Sequence, residues 1–270
     1  MSHPEISPAV QSTGDVGGKT GASKRSMQGP LICLVLGIVG GGAAGLLMNR
    51  TIEFFPVIEP PEVANTQGIH TPEQKKLVDE AHLRADYRNM FLNAGLLGLM
   101  VTAVLGLAHG LISRLPSAAI TGLFAGGISG AVFGACGGLL AVVIREQLDG
   151  WSLITEQGAP DPLRVQIHTM LIQSPAWVGI AAALGVTFFV SSPQGRRQFV
   201  PVVVAALVGW LLTSLLYPTF ASVVFPHNDP DLIIPGGYGN RLFWSTFTAG
   251  VIGFLIGRNY PAGAPVSVAS

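Results

Sequence analysis

The stretch TGLFAGGISGAVFGACGG, residues 121–138, places glycine at 122, 126, 130, 134 and 138. It lies in an uninterrupted apolar run from Ala118 to Ile144, longer than the roughly 20 residues a helix needs to cross the hydrocarbon layer. Residues four apart form a slowly drifting helical ridge, so these glycines make a groove about 24 Å long. In lipid the hydrophobic effect does not draw helices together. Association relies on close packing, which small residues permit. The stretch therefore reads as a transmembrane helix shaped to be approached by others, and we expect it to be the helix its neighbours pack against.

The same spacing recurs at Gly37, Gly41 and Gly45 within the run Pro30 to Met48, and at Gly98, Thr102, Gly106 and Gly110 within Asn89 to Ile112. Ser245, Ala249, Gly253 and Gly257 repeat it in Leu242 to Gly257. Two further apolar runs, His168 to Val190 and Phe199 to Tyr217, bring the number of expected spans to six. The fold class read from these patterns is all-α: a polytopic membrane protein, a bundle of six transmembrane helices packed through small-residue seams. The helix-packing residues are Gly37, Gly41, Gly45, Gly98, Gly106, Gly110, Gly122, Gly126, Gly130, Gly134, Gly138, Gly253 and Gly257. Spacing alone leaves open whether the seams close within one chain or between chains.

Composition agrees. Only 11% of the 270 residues are charged and 49% are hydrophobic, against about 25% charged in an ordinary soluble domain. Residues 1–28 are rich in Ser, Gly and Pro and too poor in apolar side chains to fold alone, which predicts a disordered tail. The membrane domain is expected over 29–258, with outer loops at 49–88, 145–167 and 218–241 and a short tail at 259–270.

Basic residues orient the chain, because short cytoplasmic loops retain Lys and Arg. Lys19, Lys24, Arg25, Arg114, Arg196, Arg197 and Arg258 fall on one side with only Glu5 and Asp15. The opposite side holds 8 basic and 13 acidic residues. Both termini are therefore expected in the cytoplasm, in a cell (inner) membrane. Tyr87, Trp151, Tyr217, Tyr238 and Trp244 fall near the expected outer boundary, where amphipathic rings meet headgroups.

Chemistry is sparse. Gly127-Ile128-Ser129-Gly130 resembles the G-x-S-G of rhomboid intramembrane proteases, but a serine nucleophile needs a base within reach. The last span carries no histidine, and His109 sits near the cytoplasmic end of its own helix, so Ser129 reads as a packing residue. Gly237-Tyr238-Gly239-Asn240 resembles a potassium-channel filter, yet DPDLIIPG precedes it where a filter follows a threonine-bearing signature. It reads as a glycine-rich turn into the last helix. No Asp, Glu, Lys or Arg lies inside the six runs, which argues against an ion- or proton-coupled carrier.

TPEQKKLVDEAHLRADYRNM, residues 71–90, opens with Thr71 as N-cap, Pro72 at the first helical position and Gln74 three residues on, a capping box. It predicts one helix from 72 to 112. Asp79, His82 and Asp86 share a face there, and His227, Asp229 and Asp231 cluster in the last outer loop, but both sets read as solvated polar groups. Cys33 and Cys136 fit neither a disulfide framework nor a metal set. No catalytic residue, metal or cofactor is expected. The partners expected are the bilayer and a membrane protein or second copy, with no nucleic acid. The function expected is a non-catalytic scaffold or complex subunit, with a channel or transporter for a neutral or weakly charged solute as the alternative.

Overall fold

The computed structural model describes residues 28–64, 71–148, 161–192, 195–225 and 232–259. Those residues are helical throughout apart from short connections. We label the helices α1 (Gln28–Thr51), α2 (Pro61–Ala64, one turn), α3 (Pro72–Ser113), α4 (Pro116–Gln147), α5 (Pro162–Ser191), α6 (Gly195–Val224) and α7 (Tyr238–Arg258). Five of them, α1, α3, α4, α5 and α6, are long and apolar enough to cross a membrane. The last helix, α7, has 21 residues, but Asn240, Arg241, Ser245, Thr246 and Thr248 dilute its apolar character over the first three turns.

Local chemistry sets the helix ends. Thr71 Oγ1 accepts from the Gln74 N–H at 3.3 Å, and Gln74 Oε1 accepts in return from the Thr71 N–H at 3.0 Å. From that capping box α3 runs unbroken for 42 residues, the continuous helix its sequence predicts. It stops where Arg114 turns left-handed at φ 56°, a conformation uncommon outside glycine. Pro116 then starts α4 at a position where a missing N–H costs nothing. A two-residue turn thus folds α4 back along α3. Inside α5, Pro175 cannot donate to the Leu171 carbonyl, and the Ser174 hydroxyl donates to it instead at 2.9 Å.

The long helices form a ring in the order α1, α7, α6, α5, α4, α3 and back to α1. Crossing that ring, α3 also touches α5 and α7. This corrects the expectation that the glycine-richest helix is the hub. Packed against α3 and α5, α4 turns Ile120, Phe124, Ile128, Val132 and Leu140 outward. Those residues form a ridge two positions out of phase with the glycines, so each glycine on one side is matched by a bulky residue on the other. The core is built from Leu97, Val101 and Leu105 of α3, Trp177, Ile180, Leu184 and Phe188 of α5, Tyr217 of α6 and Trp244, Ile252 and Ile256 of α7.

Candidate functional site

Two helix pairs approach backbone to backbone. Along α3 and α4 the register is antiparallel in steps of four. A side chain added at Gly122 would strike Gly106 O, at Gly126 Thr102 O, at Gly130 Gly98 O, at Gly134 Ala94 O and at Gly138 Met90 O. From the other side, a Cβ on Gly98 would strike Gly130 O, on Gly106 Gly122 O, and on Gly110 the backbone of Ala119. The second pair, α1 and α7, repeats the pattern: Gly37 lies against Ala249, Gly41 and Gly45 against Ser245, Gly253 against Cys33, and Gly257 against Gly29 and Pro30. Each of the 13 glycines singled out by spacing therefore faces a helix of its own chain.

A layer of hydroxyls crosses the bundle at the α3, α4 and α5 contact. Thr102 Oγ1 donates to Gly98 O at 2.7 Å and also contacts Gly126 O. Ser129 Oγ donates to Ala125 O at 2.6 Å and lies 3.3 Å from both Ala183 O and Thr187 Oγ1. Its neighbours are carbonyls and another hydroxyl. His109 is buried against α5, its ring 5.0 Å from that of Phe188, and it is not among the hydrogen-bond partners of Ser129.

At the other end of the bundle, towards the long loops, lies a denser polar network. Asn89 clamps the segment after α1: its Oδ1 accepts from the Phe55 N–H and its Nδ2 donates to Phe55 O, both at 2.9 Å. Asn93, fully buried, donates to Thr51 O at 3.1 Å and to Asn89 O at 2.8 Å, and accepts from the Thr51 hydroxyl at 2.8 Å. Arg241, 7% exposed, donates through Nη1 to Asn49 Oδ1 at 2.6 Å and through Nε to Pro235 O at 3.2 Å. The Tyr217 hydroxyl donates to Asn240 Oδ1 at 2.6 Å, and Trp244 Nε1 donates to Gln173 Oε1 at 3.1 Å. Arg145 of α4 pairs with Asp86 of α3, and Tyr87 donates to Glu146 at 3.2 Å. Buried polar groups are costly unless bonded, and this layer bonds side chains across all six long helices while fixing both flanking segments.

Two aromatic placements differ from the sequence reading. Tyr217 and Trp244 are core residues rather than a headgroup belt, 2% and 3% exposed. Their polar tips find Asn240 and Gln173, so burial costs them no unmet hydrogen bond. Tyr238 is exposed and Trp151 lies outside the described residues. Gly237, at φ 75°, is the N-cap of α7, so the GYG stretch is the turn into that helix. Of the acidic sets, Asp86 is paired with Arg145, and His227, Asp229 and Asp231 lie outside the described residues. Among the described residues no group of three or more His, Cys, Asp or Glu side chains is placed to hold a metal.

Sequence reasoning missed Arg241, which stands one residue before the expected span, and the pairing of Asn89 and Asn93 with the end of α1. Two asparagines four apart at the start of an apolar run were the available signal, since such residues share a helical face. Compared with protein-family models, with curated proteins and with solved structures, the chain matches none.

Proposed function

We propose that the chain is a six-span, non-catalytic integral membrane protein that serves as a scaffold or subunit of a membrane complex. The observation that carries this reading is the filled axis of the bundle. Leu97, Val101, Leu105, Ile180, Leu184, Phe188, Ile252 and Ile256 are all at most 1% exposed and belong to one apolar cluster. A solute path needs a polar or water-filled lining, and these side chains occupy the place where a path between the helices would run.

What supports a sixth crossing is the register of α7. It runs antiparallel to α1 from the Gly29 and Gly257 level to the Gly45 and Leu242 level, and its 21 residues reach about 31 Å, the thickness of the hydrocarbon layer. The glycine seams then act as intramolecular joints. What supports a non-catalytic reading is the bonding of Ser129, whose hydroxyl is directed at a carbonyl and has no histidine or carboxylate as a hydrogen-bond partner among the described residues.

The test sets this reading against its alternative. Protein isolated from its membrane in mild detergent should co-elute with a membrane protein at fixed stoichiometry. Vesicles containing the purified chain should pass glycerol and urea no faster than empty ones. Raised solute flux, abolished by a bulky substitution at Val101, would replace the scaffold with the channel.

A further inference from the structure

Beside the α3 and α4 seam lies a groove of about 380 Å³, lined by Phe91, Leu92, Gly95, Leu96 and Leu99 of α3 and, on α4, by residues that include Ala131 and Val132. No polar surface lines it. Both helices are among those able to cross a membrane, so the groove opens sideways onto acyl chains rather than water. On α3, residues 88, 92, 95 and 99 share one helical face. Arg88 therefore stands one turn above the end of the groove, where the apolar run gives way to the polar start of the helix.

Arg88 is exposed. Three carboxylates on the same stretch of α3 and the facing end of α4 have partners of their own: Asp86 with Arg145, Glu80 with Arg84, and Glu146 with the Tyr87 hydroxyl. Among the described residues Arg88 itself has no ion-pair partner. A guanidinium matches a phosphate geometrically as well as in charge. A single positive charge over a wholly apolar slot complements a molecule with one negative phosphate joined to a hydrocarbon chain.

We propose that the α3–α4 groove binds one anionic phospholipid, its acyl chain lying from Phe91 to Leu99 and its phosphate on Arg88. The groove is roughly 12 Å long on the rise of α3, enough for the upper part of one chain. A zwitterionic lipid fits less well, because it brings no net negative charge to complement the unpaired guanidinium. Gly95 forms part of the floor. A Cβ there would rest at 3.4 Å from Ala131 O and from Ala135 Cβ, so the backbone tolerates a side chain, and a larger one must extend into the groove.

The site is tested by native mass spectrometry of the detergent-purified chain titrated with dioleoylphosphatidylglycerol or dioleoylphosphatidylcholine. The wild type should retain one phosphatidylglycerol at concentrations where phosphatidylcholine is lost. Arg88→Gln removes a charge-assisted contact and should weaken phosphatidylglycerol about tenfold, with phosphatidylcholine unchanged. Gly95→Leu should abolish retention of both lipids while the protein melts at or above the wild-type temperature. Unchanged phosphatidylglycerol binding by Arg88→Gln, an exposed substitution that leaves folding intact, would overturn the proposal. So would a wild-type dimer that Gly95→Leu converts to a monomer, because a second copy would then occupy the groove. Neither result bears on solute flux, so this site and the scaffold reading fail separately.

Discussion

Gly130 and Gly127 lie three residues apart on one helix and meet opposite surroundings. A Cβ on Gly130 would enter the space of Thr102 Oγ1 and Gly98 O, a hydroxyl and a backbone carbonyl bonded to each other. Neither can swing aside without breaking that bond or separating the helices. A Cβ on Gly127 would meet only Ala103 Cβ, at 3.8 Å, an ordinary contact. Replacing either by alanine gains about 1 kcal/mol of helix propensity. Only Gly130→Ala adds the overpacking cost, about 1 to 3 kcal/mol. Propensity cancels between the two, so their difference isolates the seam: Gly127→Ala should be neutral or stabilising, and Gly130→Ala should lie about 1 to 3 kcal/mol below it. Reversible unfolding by SDS in mixed micelles, followed by tryptophan fluorescence, measures both. The reasoning fails if the two variants agree within about 0.5 kcal/mol, the usual error of additivity, or if Gly127→Ala is the weaker.

Asn93→Leu removes three hydrogen bonds and leaves Thr51 only its local contacts to Leu47 O and the Phe54 N–H, so it should lower stability by about 1 to 3 kcal/mol and speed protease cleavage of the segment between α1 and α3; unchanged cleavage would mean that Asn93 does not hold the segment. Arg114, Arg196, Arg197 and Arg258 against the acidic opposite side predict both termini in the cytoplasm, so a C-terminal reporter active only inside the cell should be active, and one active only outside should be silent.

What was legible in the sequence was whatever neighbouring residues decide. Thr71, Pro72 and Gln74 announce the start of α3 because a capping box closes within four residues, and Pro116 announces α4 because proline suits a first turn. The glycine periods were legible too, since spacing fixes which residues share a ridge. What faces that ridge depends on residues remote in the chain, and so the hub was misjudged: Gly122 to Gly138 mark α4 as approachable, but it is α3 that α1, α5 and α7 also reach. Tyr217 and Trp244 were placed at a headgroup boundary for the same reason. The partners that draw them inward, Asn240 and Gln173, lie 23 and 71 residues away.

The two glycine seams differ in what they leave for the rest of the chain to do. In the α3–α4 pair the two-residue turn at Arg114 already holds the helices together, so the seam fixes their distance and register rather than their association. In the α1–α7 pair nearly the whole sequence intervenes, and no turn assists. There the close contact itself must hold the first and last long helices together and close the ring. The polar network reinforces that closure, with Arg241 at the start of α7 reaching Asn49 near the end of α1. With the glycines turned inward on both seams, the surface left to lipid and to partners is the bulky one: Ile120, Phe124, Ile128 and Val132 on α4 and Val200, Val204 and Val208 on α6. A partner helix that docks within the bilayer must therefore pack against branched and aromatic side chains at ordinary distance. A partner that needs polar recognition must find it at the loop end, where Asn89, Arg241 and Arg145 fix the segments that leave the membrane.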